Sequence, residues 1–332
     1  MSLPKIGIIG AGLAGLTCAT QLQNTGYEVI LYDKSRSVSG RLSTRRVETN
    51  SPLSFDHGAQ YFTVDEQPFE QQVRQWLNQG VVRMWEGRFR VWNGEHAIPL
   101  TDQRQRFVGV PGMSAICKSL AKSLNVVNDH ELIEIDSTQD RHQLKFANGM
   151  TATCDLVVLT LPAPQAGVLL GPEHVLHSQI NEVQMSGCWA AMLSTAQPLP
   201  TEFDGMFVNE GPIRWIARNS SKPGRSDKSE TWVLHASPEW SEQNLELRPD
   251  QALSQLQDAF EKILNRPLGQ LEHANVHRWR YAKPEEPLTI AGFLWDENQK
   301  LALAGDWCHG GRVEGAWMSG YKLAGHIEQL YQ

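Results

Sequence analysis

Gly10, Gly12 and Gly15 follow a short apolar run, Ile6-Gly7-Ile8-Ile9, in G-x-G-x-x-G spacing, and a carboxylate, Asp33, lies 18 residues past the last of them. Each residue has a use if a phosphate diester lies on the turn. Gly10 permits a tight turn, Gly12 lets a pyrophosphate approach the backbone, and Gly15 lets a helix pack close to a strand. The helix N-terminus offers free N–H groups and a partial positive charge to the phosphates. The Asp33 carboxylate accepts hydrogen bonds from ribose hydroxyls. The chemistry is dinucleotide binding, and the fingerprint alone leaves NAD and FAD open.

The elements that must hold these residues are readable around them. Ile6 to Ile9 form a continuously apolar strand of the kind buried in a parallel sheet. Leu13, Leu16, Cys18 to Thr20 and Leu22 carry a helical pattern that Asn24-Thr25-Gly26 ends, and "YEVILYD" is the second strand, with Asp33 at its end. Gly40-Arg41 follows seven residues after Asp33, where an arginine can fork onto a phosphate. Arg45 and Arg46 read as a solvated loop. "FDHGAQYFT" (55–63) places a glycine turn inside an apolar-aromatic run, and "DLVVLTLPAPQ" (155–165) returns the chain to the parallel sheet. A strand at 301–304, Gly305-Asp306 and a Gly-rich loop precede a final helix, beginning near Gly315, with Ala316, Gly320, Leu323, Ala324, Ile327 and Tyr331 on one face. A second acidic strand end and glycine turn suit an extended ligand reaching from the first helix to the last.

The 332 residues suffice for two domains or one elaborated α/β domain. A formal charge of −7 argues against general nucleic-acid binding, which needs a basic field. Five cysteines with no C-x-x-C pair indicate neither a disulfide framework nor a metal site. No apolar stretch reaches the length of a membrane span, and the chain reads as cytoplasmic; oligomeric state is not encoded legibly. No second G-x-G-x-x-G follows a strand downstream, so a nicotinamide would have to enter as substrate. All 11 tryptophans lie at or after Trp76, and those from Trp189 to Trp279 fall in what reads as a separate sheet lobe. Alternation puts Thr231, Val233 and His235 on one face of a strand, and His277, Trp279 and Tyr281 on one face of another, with Arg278 and Arg280 opposite. The hydrophilic "NSSKPGRSDKSE" (219–230) reads as a surface loop, and 245–267 as an amphipathic helix covering a sheet.

The glycine fingerprint, Gly40-Arg41, Asp56-x-Gly58-Ala59-Gln60 and Gly305-Asp306 resemble the FAD-dependent amine-oxidase-like flavoproteins. Within them the chain resembles the renalase family, of bacterial type. The likeness runs nearly end to end through "DKSRSVSGRLSTRR", "GAQYFT", "GVPGMSAI", "LPAPQA", "ARNSSKP", "WVLHASPEWS", "HRWRYAKP" and "GDWCHGGRVEGAW". One departure is Ser39, where the wider superfamily has the first glycine of a Gly-Gly-Arg doublet.

The resemblance implies an α/β fold: a Rossmann-like FAD-binding lobe (1–66, 107–165 and 295–332) with a mixed-sheet α+β substrate lobe (67–106 and 166–294), as in p-hydroxybenzoate hydroxylase and the amine oxidases. It implies non-covalent FAD, despite Cys308 beside the Gly305-Asp306 turn, held at Gly10, Gly12, Leu13, Ala14, Gly15, Asp33, Lys34, Gly40, Arg41, Ala59, Gln60, Pro162, Gly305, Asp306, Arg312, Val313, Glu314 and Gly315. Leu132 would meet the adenine through its backbone. Substrate-positioning residues would be Gln60, His235 and Trp279, with Tyr61, Arg218 and Asn219 nearby, and no metal. The implied reaction is oxidation of the isomeric dihydronicotinamides 2-dihydro- and 6-dihydro-NAD(P) to NAD(P)+ by hydride transfer to FAD N5, with O2 reduced to H2O2. An FAD-dependent amine oxidase and a non-catalytic FAD-binding module are the alternatives.

Overall fold

Four consecutive buried residues, Ile6–Ile9, form the centre of a six-stranded sheet. The strand pairs in parallel with Val29–Tyr32 on one side and Leu156–Leu159 on the other. Leu301–Ala304 and Asn125–Val127 extend the parallel part, and only the edge strand Phe293–Asp296 runs antiparallel. This is a computed structural model, and it describes residues 3–48, 52–138, 141–226 and 228–331.

Two helices converge on the carboxyl ends of these strands. Leu13–Asn24 follows the glycine turn, and Val313–Tyr331, which starts two residues before Gly315, packs against it. The approach is close because Gly320 has no side chain: a Cβ there would run into the Ala14 carbonyl. The same economy shapes the turn. Gly10 has φ +107°, and a Cβ on it would lie 2.7 Å from Thr160 Oγ1. Thr160 Oγ1 in turn donates to the carbonyls of Ile9 (3.0 Å) and Gly10 (2.9 Å).

A second, mixed sheet has seven strands in the order Leu271–Pro284, Met185–Thr195, Glu230–Ala236, Ile213–Arg218, Gly205–Val208, Phe89–Trp92, Ala97–Pro99. The helix Pro249–Leu264, shorter than expected at both ends, lays Ala252, Leu256, Ala259 and Phe260 against Trp189, Ile216 and Trp232 on its outer face. On the inner face, Met192 and Val233 meet Leu53 and Phe55. Leu53–Asp56 pairs with Thr44–Val47, so Arg45 and Arg46 lie on a strand rather than in a loop.

One expectation holds only in part in this region. The segment 219–230 joins two strands, and Gly224, Ser226 and Lys228 are exposed as expected, but Asn219 and Lys222 are buried and Arg225 reaches inward to Asp56. The charges of Lys222 and Arg225 are compensated by Asp56 inside the protein instead of by water.

Candidate active site

Between the two sheets lies one cleft of about 1770 Å³, larger than the 300–1,000 Å³ or so of a pocket for a single small ligand. One end is the glycine turn. The space above Gly12 is open, since a Cβ there would meet nothing within 4 Å, and the helix Leu13–Asn24 opens beside it with no acidic residue in its first turn. Asp33 is buried; Oδ2 accepts from the Ala11 amide (2.6 Å) and Oδ1 from Ser35 (2.8 Å). Arg41 and Asp306 meet above the turn, with guanidinium–carboxylate contacts of 2.6 and 3.0 Å. Arg41 also donates to the Ala282 carbonyl at 3.1 Å.

The other end is walled by rings. The His57 carbonyl accepts two hydrogen bonds, from Trp279 Nε1 at 2.9 Å and from His235 Nε2 at 3.2 Å. The second sets the His235 tautomer. The His57 ring stacks on Trp279 (centroids 5.1 Å, 29° between planes), and His277 packs edge-on against Trp279 at 4.4 Å. Burial, then His277 and Arg45, push the His57 imidazole down to about 3. Burial pushes His235 to about 4, and burial with Arg45 does the same to His277. All three rings are neutral at neutral pH. Beside this wall, Trp215 pairs with His235 across the ladder, Tyr61 stands 5.4 Å from Trp215, and the Arg106 guanidinium lies 5.3 Å from the Tyr61 ring.

Gln60 links this wall to a buried ion network. Its amide nitrogen donates to the carbonyls of Asp56 and Gly58, and Lys222 Nζ donates to Oε1 at 3.2 Å, so both ends of the amide are committed. Lys222 also donates to Asp56 Oδ2 (3.3 Å), which Arg225 shares, while Oδ1 accepts from Thr44 Oγ1 (2.8 Å) and the Met113 amide (2.9 Å). Burial would raise the Asp56 carboxyl, but Lys222, Arg225 and the Met113 amide outweigh it and hold it well below the carboxylate range. Burial pulls Lys222 down to about 8 against the attraction of Asp56.

A family model described as flavin containing amine oxidoreductase matches residues 83–327, and an NAD(P)-binding Rossmann-like domain matches residues 8–79. This chain belongs to the flavin containing amine oxidoreductases. Among solved structures its fold is similar to reduced UDP-galactopyranose mutase (TM-score 0.78, 14% identity, covering 99% of this chain and 95% of that one). It is also similar to cyclohexylamine oxidase from Brevibacterium oxydans IH-35A (TM-score 0.75, 10% identity, 100% of both chains). The curated relatives match over short stretches: 4,4'-diaponeurosporene oxygenase of Staphylococcus haemolyticus is 41% identical over 64 residues, 19% of this chain and 12% of that protein. L-amino acid oxidase of Cerastes cerastes is 50% identical over 42 residues, 13% and 8% of the two chains.

Membership of this family makes the chain an FAD-dependent oxidoreductase, and its cleft fits that cofactor. The open space over Gly12 would take a diphosphate, Asp33 lies at the ribose end, and the Arg41–Asp306 pair stands between the two helix N-termini. Of the expected residues, Gly10, Gly12, Leu13, Ala14, Asp33, Lys34, Gly40, Arg41, Ala59, Gln60, Leu132, Pro162, Gly305, Asp306, Arg312, Val313 and Glu314 line the cleft, as do Tyr61, His235 and Trp279.

Four expected residues stand elsewhere. Gly15 and Gly315 are packing positions, where a Cβ would strike the carbonyls of Gly10 and His309. Arg218 is held outside the cleft by Asp204 and Glu230. Asn219 is buried behind it, donating to the Ser54 carbonyl and accepting from the Asp56 amide. Two of the lining residues already hold protein partners. Arg41 forks onto Asp306, and Glu314 Oε1 accepts from the amides of Asp65 (2.9 Å) and Glu66 (2.8 Å). Sequence reasoning missed His57, although it lies inside the quoted "FDHGAQYFT"; its contribution is a backbone carbonyl, which no residue type reveals. Among the described residues, no His, Cys, Asp and Glu cluster is arranged to hold a metal ion, and no helix is long and apolar enough to cross a membrane.

Proposed function

We propose that this flavoenzyme is a renalase-like oxidase of isomeric dihydronicotinamides, converting 2-dihydro- and 6-dihydro-NAD(P) to NAD(P)+ while O2 becomes H2O2. Bound FAD supplies the hydride acceptor that O2 afterwards reoxidises. The wall built on the His57 carbonyl carries this reading. A dihydropyridine that gives up hydride becomes an aromatic cation, so its oxidation asks for no proton transfer. Trp279, His235 and Gln60 suit such a reaction. The ring nitrogen of the first, the Nε2–H of the second and the whole amide of the third are tied down, which fixes their positions and leaves a flat, neutral surface. Their role is to orient the ring and exclude water, with Tyr61 beside them against Trp215. In this reading residues 1–66, 107–165 and 295–332 hold a non-covalent FAD, and 67–106 with 166–294 cover the substrate. Cys308 is buried and does not line the cleft.

Oxidation of an amine is the second reading. It is favoured by the aromatic pair Tyr61–Trp215, which could face a cationic substrate, and by the family to which the chain belongs. Peroxide production in air separates the two. The dihydronicotinamide isomers should sustain it and primary or secondary amines should not. Turnover with amines alone would replace the first reading by the second.

A further inference from the structure

The cleft carries the opposite charge to the rest of the molecule. Its lining includes eleven lysines and arginines against six aspartates and glutamates, in a chain of formal charge −7. Several of these cations are spoken for: Arg41 by Asp306, Arg106 by Asp102, Arg278 and Arg280 by Glu246. Among the described residues, the exposed guanidiniums of Arg46, Arg104 and Arg214 have no ion-pair or side-chain hydrogen-bond partner.

Arg214 owes its place to a local irregularity. Neighbouring residues on a strand point to opposite faces, yet Arg214 and Trp215 both line the cleft. The ladder between Ile213–Arg218 and Glu230–Ala236 slips between Ile213 and Trp215, leaving Arg214 out of register. Such a bulge re-aims a side chain, and bulges concentrate next to active sites. Next to the Tyr61–Trp215 pair, Arg106 lies against Tyr61 and donates from Nη1 to the Arg104 carbonyl at 3.0 Å. Arg104 and Arg214 thus both line the cleft near the Tyr61–Trp215 pair, Arg214 as the neighbour of Trp215 and Arg104 through Arg106.

Taking the dihydronicotinamide reading as its premise, we propose that Arg104 and Arg214 bind the diphosphate of the substrate and so select dinucleotides over the phosphate-free dihydronicotinamide riboside. A guanidinium meets phosphate oxygens through charge-assisted, paired N–H donors. The FAD diphosphate, at the opposite end, does not use these two residues.

The test uses FAD-loaded enzyme and two readouts. By calorimetry, Arg104→Gln and Arg214→Gln should each weaken ADP-ribose binding about tenfold or more. Arg46→Gln, which removes the same charge elsewhere on the lining, should change it by less than about twofold. In turnover, the ratio of kcat/KM for the dinucleotide to that for the riboside should fall by a similar factor in the first two variants. Unchanged affinity and ratio in both, or an equal loss in all three, overturns the assignment. Enzyme that binds ADP-ribose through Arg104 and Arg214, yet is reduced by neither compound, keeps the phosphate site and loses the proposed reaction.

Discussion

Arg41 and Asp306, 265 residues apart in the chain, are joined by both prongs of the guanidinium at 2.6 and 3.0 Å. The pair ties the turn after Asp33 to the turn before the last helix, adding to the close packing of Gly320 on Ala14 that joins the first and last helices. Lysine cannot reproduce a planar fork. Arg41→Lys is expected to lower FAD affinity by about tenfold or more, read as a falling ratio of visible to protein absorbance in the purified enzyme. Full occupancy after dialysis would show that the pair does not set the cradle.

Ser39 occupies a glycine's conformation, φ +133°, with its hydroxyl buried and unpartnered. Strained non-glycine positions cost on the order of 1–3 kcal/mol, and the added flexibility of an unfolded glycine returns part of that. Ser39→Gly should stabilise the protein by about 1 kcal/mol net, measured as a higher denaturation midpoint with the flavin spectrum unchanged.

Among the described residues, Asp56 is the carboxylate that balances Lys222 and Arg225 in a buried cluster. Removing it leaves two cations without a counter-charge, and breaking such a pair costs about 3–5 kcal/mol. Asp56→Asn is expected to lose most of that in chemical denaturation. Lys222→Met, which removes one surplus cation together with the donor to Gln60, should be milder in stability and should slow flavin reduction by loosening Gln60. Equal stability of Asp56→Asn and wild type would mean that water reaches the cluster.

The acid limb of stability follows from the cleft histidines. His57, His235 and His277 are depressed to about 3, 4 and 4, so below the ordinary histidine value the unfolded chain binds more protons than the folded one. Stability is then fully present above about pH 6.5 and declines as pH falls toward 4, before Asp56 begins to protonate. A Tm flat from pH 7 to 5 would contradict the neutrality of these rings.

What the sequence makes legible is mostly contiguous. The strand Ile6–Ile9, the glycine turn, the helix after it, Asp33 and the strand Leu301–Ala304 each carry their signal within a few residues, and all are formed as expected. Signals that depend on distant partners were hidden. Lys222 and Arg225 sit in a run of polar residues that looks solvated, because Asp56 is 166 and 169 positions away. The bulge at Arg214 leaves the alternating pattern of its strand unmarked. The carbonyl of His57 belongs to the backbone, so the residue type says nothing about the two donors it holds.

Anaerobic rapid mixing of the FAD-loaded enzyme with 6-dihydro-NAD, followed at the flavin's visible band, tests the central claim most directly. The band should bleach within a single turnover and return on admitting O2, with NAD+ formed in equal amount to the flavin reduced, and primary amines should leave it untouched. A band that persists with either dihydronicotinamide isomer, or that amines bleach faster, would contradict the account.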